Sequence, residues 1–233
     1  MKQMTSATPT TPVNSAQLLR AHTWVFDLDN TLYCGVHGLF EQIDARMRGY
    51  LAQYLDIDED EAHRVQKSYF RQYGTTLRGM MINHAMDPIP YLDYVHDIDI
   101  SLIPADPDLG HALARLDGRK IIFTNADVPH AERVLARLGV ADHFDAIFDI
   151  VEADFIPKPE PDIYDQLIKR FAIDPQGAVM VEDIARNLEP AAKLGMATVW
   201  VRPMTDCEVC KEAPEGDHVD FETDDLVAWL QAL

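Results

Sequence analysis

The sequence predicts an α/β fold: a parallel sheet with helices on both faces and an all-helical segment inserted after the first strand. Three observations predict it. The run Trp24-Val25-Phe26 is wholly apolar, as a strand covered on both faces must be, and it breaks off into Asp27-Leu28-Asp29-Asn30-Thr31. About 70 residues then pass with helical spacing and no strand, too many for a plain loop. From Asp106 onward short β-type runs alternate with helical ones, the rhythm of a parallel sheet with right-handed crossovers.

Within the insertion, Leu39, Phe40, Ile43, Met47, Tyr50, Leu51 and Tyr54 recur at three- and four-residue intervals and predict one helix with an apolar stripe. A second helix is expected from Asp60 to Tyr73, with Ala62, Val65, Tyr69 and Phe70 inward and Gly74 as its stop. Thr75 or Thr76 caps a third, carrying Leu77, Met80, Met81 and His84. Asp87-Pro88 ends it, and a short fourth helix holds Tyr91, Leu92 and Val95. Asp106-Pro107 then opens a helix with Leu109, Ala112, Leu113 and Leu116 buried. Lys120–Phe123, Ala146–Ile150, Ala178–Val181 and Ala197–Val201 read as the remaining strands. Helices lie between them over about Val128–Leu138, Ile163–Phe171 and Leu188–Leu194. Phe221, Leu226, Trp229 and Leu230 suggest a closing helix that starts at Thr223-Asp224-Asp225. The expected division is a flexible N-terminal extension over 1–20, an α/β core from 21–34 and 101–233, and a helical domain over 35–100.

Composition narrows the function. A formal net charge of −19, from 20 basic and 39 acidic residues, argues against a nucleic-acid polymer or an anionic membrane as partner. No apolar run has transmembrane length, and the Thr-, Ser- and Pro-rich start lacks the apolar centre of a signal peptide. Cys34, Cys207 and Cys210 form no disulfide framework, so a cytoplasmic location is expected. Cys207-Glu208-Val209-Cys210 reads as a loop with two reduced thiols, because a structural zinc needs four ligands and only His218 is near.

Three strands end in polar residues: Asp27 and Asp29, then Thr124-Asn125, then Glu182-Asp183. Lys158 follows the third strand between two prolines, Pro157 and Pro159. In a parallel sheet all carboxyl ends point one way, so these groups can meet in one crevice, where open α/β sheets bind ligands. Taken singly, a strand-end Thr-Asn is usually a turn, Glu182-Asp183 a helix start, and a lysine between prolines solvated surface. Together they offer carboxylates for a divalent cation, with Mg²⁺ suited to oxygen ligands, and a hydroxyl, an amide and an ammonium for phosphate oxygens.

Asp27-Leu28-Asp29-Asn30-Thr31, Thr124-Asn125, Lys158 and Glu182-Asp183 resemble, in order, the four signature motifs of the haloacid dehalogenase superfamily. The helical insertion after the first motif is similar to that superfamily's first type of cap. Gln72-Tyr73-Gly74-Thr75-Thr76-Leu77-Arg78-Gly79, Phe123-Thr124-Asn125-Ala126 and Asp183 followed by Asn187-Leu188 look like the pyrimidine 5′-nucleotidase branch. The resemblance implies a Rossmann-like core and a Mg²⁺-dependent phosphomonoesterase acting on a small phosphorylated substrate, a nucleoside monophosphate. It implies Asp27 as nucleophile and Asp29 as general acid and base. Thr124, Asn125 and Lys158 would bind the phosphoryl group. Asp27, Asp29 through its backbone carbonyl, and Asp183 would hold the metal, with Glu182 acting through a water. Asp29 argues for phosphoryl transfer over carbon–halogen cleavage, because dehalogenases of the superfamily generally lack an acid there. Rival readings are a phosphatase for another small metabolite (phosphoglycolate, a sugar phosphate), a phosphomutase, and a catalytically silent binding module. Specificity is expected in the cap, with Tyr33, His37, Phe40, Tyr73, Thr76, Arg78 and His84 as residues to examine; helical spacing favours Phe40 and Tyr73 as cap-core residues, and a solvated or structural role is favoured for His37 and His84.

Overall fold

The computed structural model describes residues 17–18, 20–34, 38–202, 214 and 216–233. Residues 1–16, His37 and the Cys207/Cys210 pair lie outside the described residues. The chain opens on β1 (Thr23–Phe26) and continues through four helices, α1 (Leu39–Leu55), α2 (Glu59–Tyr73), α3 (Thr76–His84) and α4 (Pro88–Val95). Alternation follows: α5 (Pro107–Arg115), β2 (Arg119–Phe123), α6 (Val128–Leu138), β3 (Ala146–Phe148), α7 (Pro161–Phe171), β4 (Ala178–Glu182), α8 (Glu189–Leu194) and β5 (Ala197–Val201). β6 (Phe221–Thr223) and α9 (Leu226–Gln231) close it.

The six strands form one all-parallel sheet in the order β3-β2-β1-β4-β5-β6. β1 is therefore central, and the strand order reverses beside it, where such sheets open a crevice at their carboxyl ends. Alternation along β1 sends Trp24 and Phe26 into one core layer and Val25 into the other. The first layer takes α5, α6 and α9 with the start of α1; the second takes α7 and α8. A third apolar cluster joins Leu51, Ala62, Leu77, Met80, Tyr91 and Val95 from α1–α4, and it includes Ile150 from beyond β3.

The helix starts are carried by the side chains the sequence offers for capping. Asp58, Thr75, Asp87, Asp106, Asp127 and Asp225 each accept a backbone N–H in the first turn of the helix that follows. Two expectations need correction. Phe221 belongs to the edge strand β6, paired with Val199, not to the closing helix; three residues are too few for alternation to declare a strand. Tyr54 leaves the expected buried stripe of α1 and is 45% exposed, its ring stacked on Tyr50. Among the described residues no helix is long and apolar enough to cross a membrane.

Gly79 marks the tightest helix contact. A Cβ there would overlap the Cβ and Cγ of Tyr69 on α2, atoms too close to the backbone to swing away. Gly→Ala within a helix ordinarily gains about 1 kcal/mol, but overpacking of this kind costs about 1–3 kcal/mol. Gly79→Ala is expected to lower stability, read as a fall in Tm by thermal denaturation.

Candidate active site

Phe26 of β1 lies level with Val181 of β4 and Ile122 of β2, so Asp27, Glu182 and Phe123 come level one step further on. The ladder continues past the strand, with the Asp27 N–H donating to the Val181 carbonyl at 2.9 Å. Lys158 reaches this point from the loop after β3. Its Nζ donates to Asp27 Oδ1 at 2.6 Å, to Glu182 Oε2 at 2.7 Å and to the Phe123 carbonyl at 2.8 Å. Those bonds use all three ammonium hydrogens, so Lys158 presents a charge rather than a spare N–H. Its backbone N–H donates to Asn125 Oδ1 at 2.9 Å, which ties the loop to the end of β2 and leaves the Asn125 amide hydrogens for another acceptor. Thr124 Oγ1 accepts from the Ala126 N–H at 3.0 Å and keeps its own hydrogen to donate. Thr31 Oγ1 donates to the second Asp27 oxygen at 2.9 Å.

Asp27, Glu182 and Asp183, all buried, each bring a carboxylate oxygen within 4.8 Å of the others. Three carboxylates around one ammonium leave a deficit of two positive charges if all ionise, a costly state in a buried site. The carboxyl groups register that deficit. Burial first, and then the Glu182 charge, push Asp27 up to about 7 despite Lys158. Burial first, then the Glu182 and Asp27 charges, raise Asp183 well above the carboxylate range. For Lys158 burial works against the charge, but Asp27 and Glu182 outweigh it and raise the ammonium above its ordinary value. An all-oxygen donor set short of two positive charges fits a hard divalent cation such as Mg²⁺. The Trp200 indole N–H donates to the Asp183 carbonyl at 2.7 Å and fixes that turn.

The Asp29 carboxylate stands apart from this cluster. Its Oδ1 accepts from the Tyr33 hydroxyl at 2.6 Å and from His130 Nε2 at 3.0 Å. Burial opposes its ionisation, yet the His130 charge and these hydrogen bonds prevail and hold the carboxyl below its ordinary value. For His130 burial again opposes the charge, and Asp29 raises the imidazole above the usual histidine range.

Asp27, Asp29, Thr124, Asn125, Lys158, Glu182 and Asp183 line one wall of a cavity of ≈ 1250 Å³. Phe40 and Met47 of α1, Phe70 and Arg71 of α2, and Thr76 just beyond line the other. Of the residues singled out for specificity, Phe40 and Thr76 reach this cavity. Tyr33 is bound to Asp29 instead, the Tyr73 hydroxyl donates to Asn83, and His84 pairs with the Tyr69 hydroxyl. Neither Tyr73, Arg78 nor His84 is among the lining residues. Sequence reading missed His130, His96 and Asp127. The available signal was a histidine on the same stripe of α6 as Ala131, Val134, Leu135 and Leu138, all buried.

Residues 22–195 match the family described as haloacid dehalogenase-like hydrolase. The chain belongs to that family. Among curated proteins, the haloacid dehalogenase-like chain is 31% identical over 192 residues to "Phosphate metabolism protein 8" of Saccharomyces cerevisiae, a match covering 75% of this chain. It spans only 59% of that relative's length. It is 26% identical over 216 residues to "Glyceraldehyde 3-phosphate phosphatase" of Methanopyrus kandleri, covering 86% of this chain and 91% of the relative. Among solved structures, a haloacid dehalogenase-type phosphatase from Thermococcus onnurineus superposes with a TM-score of 0.60 at 21% identity, over 90% of this chain and 96% of the other. At that identity the likeness is one of fold.

Lys158→Met leaves Asp27 and Glu182 buried without their cation. Removing one partner of a buried ion pair costs about 3–5 kcal/mol. Urea unfolding at neutral pH should show a loss of that order, shrinking in acid where Asp27 is protonated and needs no partner.

Proposed function

We propose that the protein is a magnesium-dependent phosphomonoesterase working through an aspartyl-phosphate on Asp27, with pyrimidine nucleoside 5′-monophosphates as its substrates. The observation that carries the reaction class is the pairing of Asp27, tied to Lys158 at 2.6 Å beside Glu182 and Asp183, with a second carboxylate, Asp29, in the same cavity. Asp27 attacks phosphorus and displaces the substrate's alkoxide, splitting one difficult displacement into two. Asp29 protonates that leaving oxygen, then takes a proton from the water that attacks the aspartyl-phosphate; this attack frees the Asp27 carboxylate, and the proton on Asp29 departs with the phosphate product, which returns both carboxylates to their starting state. With Asp29 held ionised in the free protein, its first proton enters with the substrate monoanion, a phosphomonoester whose second pKa is about 6.

Thr124 and the Asn125 amide donate to the phosphoryl oxygens, and Lys158 offsets their charge. Asp27, the Asp29 backbone carbonyl and Asp183 would hold Mg²⁺, with Glu182 beside them. When bound, the cation supplies positive charge to the phosphoryl oxygens as the bond breaks. Residues 35–100 act as a cap over the core formed by 21–34 and 101–233, closing the cavity and excluding water.

For the substrate, the sequence resemblance to pyrimidine 5′-nucleotidases is supported by the cavity. Its ≈ 1250 Å³ exceeds what a triose phosphate fills, and its lining includes the aromatic residues Phe40 and Phe70. A second reading, a phosphatase for a small sugar phosphate, is favoured by the names of relatives such as the glyceraldehyde 3-phosphate phosphatase of Methanopyrus kandleri.

A panel of phosphomonoesters with Mg²⁺ tests the reading. UMP and CMP are expected to turn over fastest; equal or faster turnover of glyceraldehyde 3-phosphate or fructose 1-phosphate would give the second reading. Asp27→Asn should abolish hydrolysis while the protein stays folded by circular dichroism. Asp183→Asn should weaken Mg²⁺ binding at least about tenfold by isothermal titration, as removal of a charged ligand does.

A further inference from the structure

Behind Asp29 lies a buried imidazole, bonded through Nε2 and stacked on a second histidine, while its Nδ1 has no hydrogen-bond partner among the described residues. His130, whose side chain is 0% exposed, donates from Nε2 to Asp29 Oδ1 at 3.0 Å. An ionised carboxylate can only accept, so the hydrogen lies on the histidine. The His130 ring stacks on His96 with centroids 4.5 Å apart and planes 24° from parallel. His96 is the residue at which the chain leaves α4 to return to the sheet. It too is anchored, with Nδ1 on Asp127 Oδ1 at 3.0 Å and its carbonyl accepting from Arg133 at 2.8 Å. The same Asp127 oxygen accepts the His130 N–H as the cap of α6.

A carboxylate rotates readily about its last torsion. Tyr33, four residues away on the same turn, supplies one bond to Asp29; His130, 101 residues away, supplies a second from another element. Both go to Oδ1, which leaves Oδ2 as the oxygen free to handle protons, on a side chain that lines the cavity.

We propose that His130 is a positioning residue for this reaction, fixing Asp29 so that Oδ2 meets first the leaving oxygen and then the attacking water. This rests on the reading of Asp29 as proton donor and acceptor. Orientation of this kind bears on the rate of the proton-dependent step, not on substrate affinity.

The test uses the full chain with saturating Mg²⁺ and two substrates in single-turnover measurements. UMP loses an alkoxide that needs a proton; p-nitrophenyl phosphate loses a phenolate that does not. His130→Leu should slow nucleoside release by about tenfold or more, with KM little changed, and should barely affect release of the phenolate. His130→Gln, which keeps an N–H near the Nε2 position, should recover most of the rate. In an Asp29→Asn background His130→Leu should cost nothing further. If the Leu variant does not fold, His130→Asn, polar but too short to reach Asp29, takes its place. Equal losses on both substrates, failure of Gln to rescue, or additive losses in the double variant would overturn the proposal. Parental activity in Asp29→Asn alone would remove the acid–base reading itself, whereas an impaired Asp29→Asn beside an unimpaired His130→Leu removes only the role of His130.

Discussion

The structure turns on one buried ammonium. Lys158 Nζ bonds Asp27 just past β1, Glu182 on β4 and the Phe123 carbonyl on β2, so three neighbouring strands are tied at their carboxyl ends by a single nitrogen. The three acidic side chains of this rim would repel one another in a dry environment without it. Even with Lys158 the balance is incomplete, and burial together with the neighbouring carboxylates displaces Asp27 and Asp183 upward. An all-oxygen rim short of positive charge is one that a doubly positive ion fits.

The helical segment meets the sheet at the same rim. Gly74 closes α2 with φ +82, and its missing Cβ would lie 3.1 Å from both the Lys158 carbonyl and the Pro157 ring. Glycine there serves the left-handed helix end and the close approach together. Nearby, the Arg186 guanidinium lies over the Phe70 ring, 5.5 Å from its centroid, another contact between α2 and the core. The groups around Asp27 and the lining residues of α1 and α2 therefore bound one crevice.

Much of this was legible in the chain. Trp24-Val25-Phe26 read as a strand buried on both faces, and Thr75 and Asp106 announced their helices by ordinary capping chemistry, whereas Asp58 and Asp87 emerged as caps only in the structure. The polar strand ends were legible too, since a shared sheet direction brings them to one rim. Phe221 was misread because a three-residue edge strand carries too little pattern to outweigh a neighbouring helix signal. Tyr54 was misread because helical spacing reports a face of the helix, while burial depends on how much of that face its neighbours cover.

By itself the sequence determined the first five strands and their alternation with helices, the inserted helices and the acidic, hydroxyl, amide and ammonium groups of the rim, because these follow from local periodicity and from residues adjacent to strand ends. Only the tertiary structure decided that Lys158 spends all its hydrogens on protein acceptors, that Tyr33 serves Asp29 instead of the cavity, and that His130 and His96 stand behind that carboxylate. Those facts depend on contacts between residues up to 131 positions apart, which no local pattern encodes.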